Sequence, residues 1–319
     1  VPPHGCYSEN RSSNHPAHEG KGMSTETLRS ACARTDDEIA LIANSMRHDI
    51  IAMLEAAGSG HPGGSLSATD AMATLFFSGV LAWDPQDSSS ADRDRFVLSK
   101  GHAAPALYAL LVQQGFLPHD EIVTLRHMGS RLQGHPDSNL CPGVEVGTGS
   151  LGQGTSIAAG MALGLKLDAA AAGTDPQRVF VLTGDGELQE GQNWEAVMFA
   201  AHNKLDNLVL MLDNNNLQID GHVTDVCSIE SAAEKFRAFG WNVLACDGHS
   251  IPAIREALTQ AVEHTGAPTA IVCKTVKGKG VSFMEDQVGW HGNAPSAEQA
   301  AVALAEIDAA REQLAAKEA

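Results

Sequence analysis

The sequence predicts an α/β fold, a parallel sheet flanked by helices on both faces, on three observations. Strand-like runs at 179–182, 208–212, 241–245 and 269–275 alternate with helical stretches near 188–203, 229–239 and 250–264. That order builds a parallel sheet covered on both sides. Two of the runs end in turns that carry chemistry, Gly184-Asp185-Gly186 after RVFVLT and Asn214-Asn215 after LVLMLDN, and ligands of such sheets collect beyond the carboxyl ends of the strands. Finally, 319 residues at 43% hydrophobic content suffice for one large α/β core.

Residues 1–23 are polar and rich in Pro, Gly, His and Ser, with no period. They read as a disordered extension or tag, with Met23 a candidate start and no specific role for His4, His15 or His18. From Thr35 the pattern turns regular. Thr35 caps a helix opened by Asp36, Asp37 and Glu38, whose apolar face is Ile39, Ile42, Met46, Ile50 and Met53 and which stops at Gly58. A helix at 67–82, a strand at 96–98, a helix at 104–114 and a short one at 120–127 are expected next. A small-residue helix then follows Gly152, and a final helix begins near Ser296. Neither a repeat nor a linker interrupts this series, so 24–319 is expected to form one domain.

With 21 Lys+Arg against 39 Asp+Glu the formal charge is −18, which argues against nucleic-acid or anionic-membrane binding. An anionic ligand on such a protein needs local positive charge, from a divalent cation and helix N-termini. The six cysteines are scattered, with no C-x-x-C pair, as suits reduced thiols in a cytoplasm. No apolar run approaches the ~20 residues of a membrane span, and no signal-peptide core is present at the N-terminus. A soluble cytoplasmic protein is expected.

Asp185 and Asn215 offer hard oxygens, and the glycines around Asp185 allow close approach of a bulky anion, an arrangement suited to Mg²⁺ or Ca²⁺ carrying a diphosphate. Gly-Asp-Gly alone is an ordinary turn; its spacing to the Asn pair, about one strand–helix–strand unit, gives it meaning. Four histidines beside glycines form a second group: His61 in SGHPGG, His102 in SKGHAA, His135 in QGHPD and His291 in GWHGNAP. One such histidine is usually a satisfied polar residue. Four in loops suggest a cleft that holds hydroxyls or a diphosphate oxygen and moves protons near neutral pH. Lys277-Gly278-Lys279-Gly280 lacks the order of a P-loop and reads as a flexible turn leading to His291. Gly149, Gly152 and Gly154 have the wrong spacing for a dinucleotide fingerprint.

These motifs resemble the transketolase family, in its thiamine diphosphate-binding half. The resemblance rests on Ser59–Gly64, Leu98–His102, Gly134-His135-Pro136, Thr148–Gly154, Gly184–Gly191, Asp213-Asn214-Asn215 with Leu217, Asp220 and Gly221, and His291-Gly292. They run in the family's order from about residue 40 to 295. The fold implied is the thiamine diphosphate-binding fold, with this chain as its diphosphate-binding domain.

The resemblance implies two cofactors, thiamine diphosphate and Mg²⁺ (or Ca²⁺). It makes Asp185, the Asn215 side chain and the Leu217 carbonyl the metal ligands, and His102, Gly149, Ser150, Leu151, Gly186, Asn215 and His291 the cofactor contacts. His61, His135 and His291 become the catalytic histidines facing a sugar. Most family members carry Pro where Ser150 stands. Glu190 and Glu195 match acidic positions at the family's protomer contact, the alternative being a solvated helix face. The glutamate that activates the cofactor, and the arginines that clamp a sugar phosphate, belong to a second domain absent here. The chain is therefore expected to be the N-terminal subunit of a split transketolase, moving a two-carbon ketol unit from a ketose to an aldose acceptor. Its partner would be a C-terminal subunit with the pyrimidine-binding domain and that glutamate, in an α2β2 heterotetramer. The alternatives are a subunit of another thiamine diphosphate enzyme, 1-deoxyxylulose-5-phosphate synthase-like or keto-acid dehydrogenase-like, or a non-catalytic cofactor-binding subunit.

Overall fold

The computed structural model describes residues 24–84 and 86–318; the extension expected over 1–23 lies outside the described residues. In chain order the elements are α1 (Thr25–Cys32), α2 (Asp36–Ala57), α3 (Pro62–Phe77), β1 (Arg95–Leu98), α4 (Ala104–Gln113), α5 (Gln153–Ala172), β2 (Val179–Gly184) and α6 (Gly191–His202). There follow β3 (Leu208–Asn214), the short hairpin β4 (Leu217–Gln218) and β5 (Gly221–His222), α7 (Val223–Val226), α8 (Ala232–Ala238), β6 (Asn242–Asp247), α9 (Ile251–Glu263), β7 (Thr269–Lys274) and α10 (Ala297–Glu318).

β1, β2, β3, β7 and β6 lie side by side in that order, all parallel. Side chains alternate along each strand. Phe180, Leu182, Val209, Met211 and Ile271 pack with residues of α2, α3, α4, α9 and α10, whereas Val179, Val181, Leu208, Leu210 and Ala270 pack with α5, α6 and α8. Burial on both faces is why the strands read as continuous apolar runs. Among the described residues no helix is long and apolar enough to cross a membrane.

α2 begins as its sequence predicts. The Thr35 hydroxyl accepts from the Glu38 N–H and the Glu38 carboxylate accepts from the Thr35 N–H, a reciprocal cap. It ends at Gly58, in the left-handed region at φ 60°. α3 starts at Pro62 rather than 67 and is buried along its whole length. Proline suits the first helical position, and the two glycines after it, which read as loop, are small because other elements press on them. The stretch expected as one helix at 188–203 divides into a 3-10 turn, Gly186–Gln189, and α6; the helix expected at 120–127 is a 3-10 segment, His119–Thr124. The β4–β5 hairpin has two-residue strands, too short for any period to announce.

Candidate functional site

β2 and β3 pair with Gly184 opposite Asp213, so the residues that follow, Asp185 and Asn215, leave the sheet side by side. The Asp185 carboxylate accepts N–H bonds from Gly186 at 2.8 Å and Asn216 at 2.5 Å. Asn215 is oriented at both ends of its amide: Oδ1 accepts from the Leu217 N–H at 3.0 Å, and Nδ2 donates to Asp213 at 3.2 Å. The hairpin buries the Leu217 side chain while its carbonyl accepts from Lys277 Nζ at 2.8 Å. Asp185, Asn215 and Leu217 thus meet at one wall of a cavity of about 280 Å³. Among the described residues no group of three His, Cys, Asp or Glu side chains is placed to hold a metal ion. A cation at this corner therefore draws on one carboxylate with amide and carbonyl oxygens, the donor set of a hard ion. Burial and the neighbouring Asp213 push the Asp185 carboxyl up to about 6, a carboxylate short of positive charge.

Beneath the cavity floor lies a dense polar cluster. Asp213 is buried and receives Lys100 Nζ, the Ser67 hydroxyl at 2.6 Å and the Thr275 hydroxyl. Burial raises its proton affinity, and these donors, Lys100 foremost, outweigh that and hold it below the usual carboxylate range. Glu187, also buried, takes the Ser99 hydroxyl and the Gly152 N–H on one oxygen and the Gly184 N–H on the other. The two carboxylates tie β1, β2, β3, α3, the start of α5 and the segment after β7 into one frame.

Three of the expected histidines form a triangle at the cavity mouth. Ring centroids stand 5.1 Å apart for His61 and His102, 5.7 Å for His61 and His291, and 5.4 Å for the stacked pair His102 and His291. Burial and the facing cations Arg126 and Lys277, with His135, depress His61 to about 4; burial, Lys277, His61 and Lys100 bring His291 to about 3. His102 is driven well below 6.5, first by burial and then by Lys100. All are neutral at pH 7. The Nδ1 atoms of His61 and His291 are buried without a hydrogen-bond partner among the described residues, an uncompensated cost that a polar ligand in the cavity would remove. His135 reaches the same cavity, where its ring lies 2.8 Å from the place a Cβ on Gly149 would take. Gly149 also has φ 146°, so only glycine fits there.

Gly149, Leu151 and Gly186 line the cavity as expected, whereas Ser150 is exposed and lines the adjoining groove with His135 and Gln153. Glu190 and Glu195 are exposed at the start of α6, outside the cavity.

Lys277 is the residue that sequence reasoning misassigned. It is 3% exposed and lines the cavity, in a segment tied down by Gly278 N–H to Gly63 O at 3.0 Å and Asp286 N–H to Lys277 O at 2.9 Å. The segment is not the flexible turn expected. A Cβ on Gly63 would lie 2.9 Å from Lys277 Cγ, which explains a glycine inside the first turn of α3. Burial, with Lys100 nearby, brings the Lys277 ammonium down to about 8. Lys100 and Glu187 lay inside recognised motifs without an assigned role. Lys277 had no local signal, because only the packing of its segment against α3 turns it inward.

The residues present fit a magnesium diphosphate group: hard oxygens for the cation, a buried ammonium and a helix N-terminus for the anion, and histidine nitrogens awaiting partners. Comparison with known proteins supports the diphosphate part of this reading. Residues 39–316 match the family described as transketolase, thiamine diphosphate binding domain. The chain is 41% identical over 266 residues to the 6-deoxy-6-sulfo-D-fructose transketolase subunit SqwG of a Clostridium species (strain MSTE9), covering 83% of this chain and 94% of that one. It is 37% identical to an apulose-4-phosphate transketolase subunit of Actinobacillus succinogenes, covering 85% and 96%. To the transketolase of Homo sapiens it is 44% identical, over 78% of this chain and 39% of that one. Among solved structures, a Pichia stipitis transketolase complexed with sedoheptulose 7-phosphate superposes with TM-score 0.78 at 32% identity, over 89% of this chain and 44% of that one. The chain thus spans nearly the whole of the subunit relatives and less than half of the single-chain ones. It belongs to the transketolase family and has the fold of that family's thiamine diphosphate-binding domain.

Proposed function

We propose that this chain is the N-terminal subunit of a two-chain transketolase that transfers a two-carbon ketol unit from a ketose, or ketose phosphate, to an aldose acceptor. It works with thiamine diphosphate and Mg²⁺, and with a C-terminal subunit that carries the pyrimidine-binding domain and the activating glutamate, two copies of each. The observation that carries the reading is the convergence of Asp185, Asn215, the Leu217 carbonyl, Lys277 and four neutral histidines on one cavity.

When bound, thiamine diphosphate supplies the carbon nucleophile and electron sink for breaking the donor's carbon–carbon bond. Asp185, Asn215 and the Leu217 carbonyl hold the cation. Lys277, His102 and the backbone at Gly149, Leu151 and Gly186 hold the diphosphate. His61 and His291, neutral at pH 7, are able to take a proton from a ketose hydroxyl through a ring nitrogen, and His135 orients a hydroxyl of the transferred fragment. Glu190 and Glu195 stand at the contact between subunits.

The test is co-purification from the native host under thiamine diphosphate and Mg²⁺, with mass spectrometry of the bound chains and a ketose-cleavage assay. Recovery of a second chain together with two-carbon transfer is the expected result. A chain that holds the cofactor yet is inactive with every co-purified protein overturns the catalytic reading, and consumption of a keto acid without ketose cleavage moves it to another enzyme of the class.

A further inference from the structure

Behind the cavity, two side chains from two elements close on one carboxylate of a third. Asp70 of α3 is buried and accepts from Arg47 Nη2 of α2 at 2.5 Å and from His249 Nδ1, in the turn after β6, at 2.8 Å. Arg47 and His249 each have a second contact, and both fall on the segment that follows β7. Arg47 Nε donates to the Lys279 carbonyl at 3.1 Å, and His249 Nε2 accepts from the Val276 N–H at 2.8 Å. The two contacts flank Lys277. The tautomer follows from the partners: a backbone N–H pointing at Nε2 requires a lone pair there, so the proton sits on Nδ1 and is donated to Asp70. None of the three residues lines the cofactor cavity.

We propose that His249, held by the Asp70–Arg47 pair, is a positioning residue that fixes the 276–279 segment so that Lys277 stands ready for the diphosphate before the cofactor arrives. The inference rests on the cofactor reading above, and adds a residue remote from the ligand that acts only through Lys277. Its physical basis is pre-organisation. Lysine has four rotatable bonds and loses much freedom when held, so a segment fixed by backbone bonds on both sides removes part of that cost from binding. Outer partners of this kind typically change ligand affinity by ~10–100-fold.

Two substitutions separate the two nitrogens. In His249→Asn the amide nitrogen reaches the place of Nδ1 and keeps Asp70, but nothing accepts the Val276 N–H. In His249→Gln the amide oxygen reaches the place of Nε2 and keeps that acceptor. The affinity of the full chain for thiamine diphosphate with Mg²⁺ is measured for both, for Lys277→Met, and for the His249→Asn/Lys277→Met double variant. Expected are a loss on the order of 10-fold for H249N, near-parent affinity for H249Q, and a double variant no weaker than K277M alone. Additive losses, or equal losses in H249N and H249Q, overturn the proposal, since a general destabilisation would act independently of Lys277. Amide exchange of the peptide covering Val276 and Gly278 is followed without cofactor. Acceleration in H249N but not in H249Q supports the latch, and unchanged exchange in both overturns it. If the parent chain does not bind thiamine diphosphate, the cofactor reading fails while the exchange data still decide whether the latch exists. Arg47→Lys, which retains the charge beside Asp70 but loses the Nε donor, serves where H249N does not fold, with faster exchange expected at the same peptide.

Discussion

The two faces of the sheet are built to different standards of completeness. On one, α2, α3, α4, α9 and α10 cover the strands, α3 is buried throughout, and among the described residues Val302 is the only large hydrophobic of these five helices left exposed. On the other, the thinner layer of α5, α6 and α8 leaves Leu167, Met198 and Phe199 exposed, at 61%, 58% and 41%. The first face is a finished core. The second offers apolar surface on α5 and α6.

The contrast is broken or sharpened by four experiments. The largest effect belongs to the finished face: Phe76, with Trp83 and Phe96 at 5.2 Å each between ring centroids, should cost about 3–5 kcal/mol when cut to alanine, measured by denaturant melts. Next, Asp185→Ala should lower cation-dependent thiamine diphosphate affinity by more than the ~10–100-fold typical of an outer partner, with the fold intact by circular dichroism; retained affinity would place the cation elsewhere.

The third concerns pH. His61 at about 4 and His291 at about 3 lie below the ordinary 6.5, so between these values the unfolded chain binds protons that the folded chain does not. Their contribution to stability is whole above pH 6.5 and is lost as the pH falls through the window. Asp185, raised to about 6, works in the opposite sense between its ordinary 3.8 and 6, as one group against three, since His102 is also held well below 6.5. The cofactor-free Tm should be lower at pH 5 than at pH 7, by roughly 2–4 °C for each kcal/mol lost, and less so in His61→Asn. A Tm that rises on acidification would mean these rings are solvated. The smallest effect belongs to the unfinished face. Phe199→Ser should change stability by no more than about 0.5 kcal/mol while weakening recovery of a partner chain by co-purification. A large loss of stability instead would show that this face is already part of the core.

The alternation of strands and helices was legible where a strand is buried on both faces or a helix is long enough to show its period; α1 and the four-residue α7 were not anticipated. The meeting of Asp185 and Asn215 was legible too, since both sit at strand ends that the sheet register brings together. What escaped was everything set by contacts between distant segments. The first turn of α3 looked like loop because Gly63 answers to Lys277, more than two hundred residues away. Lys277 looked like a solvated turn residue because nothing near it in sequence tells of its burial. His249 carried no local sign either, since its partners Asp70 and Val276 are supplied by other elements.

Asp213 has one more implication, for where such an enzyme is able to be divided. Its donors come from positions 67, 100, 215 and 275, and the histidines that share its cavity begin at 61 and end at 291. A break between 67 and 275 would leave a buried carboxylate to find Lys100 or one of its three neutral donors on a second polypeptide. A cut outside 61–291 leaves both the carboxylate's donors and the four histidines on one chain. The indivisible part of the machine is the part that grips the diphosphate.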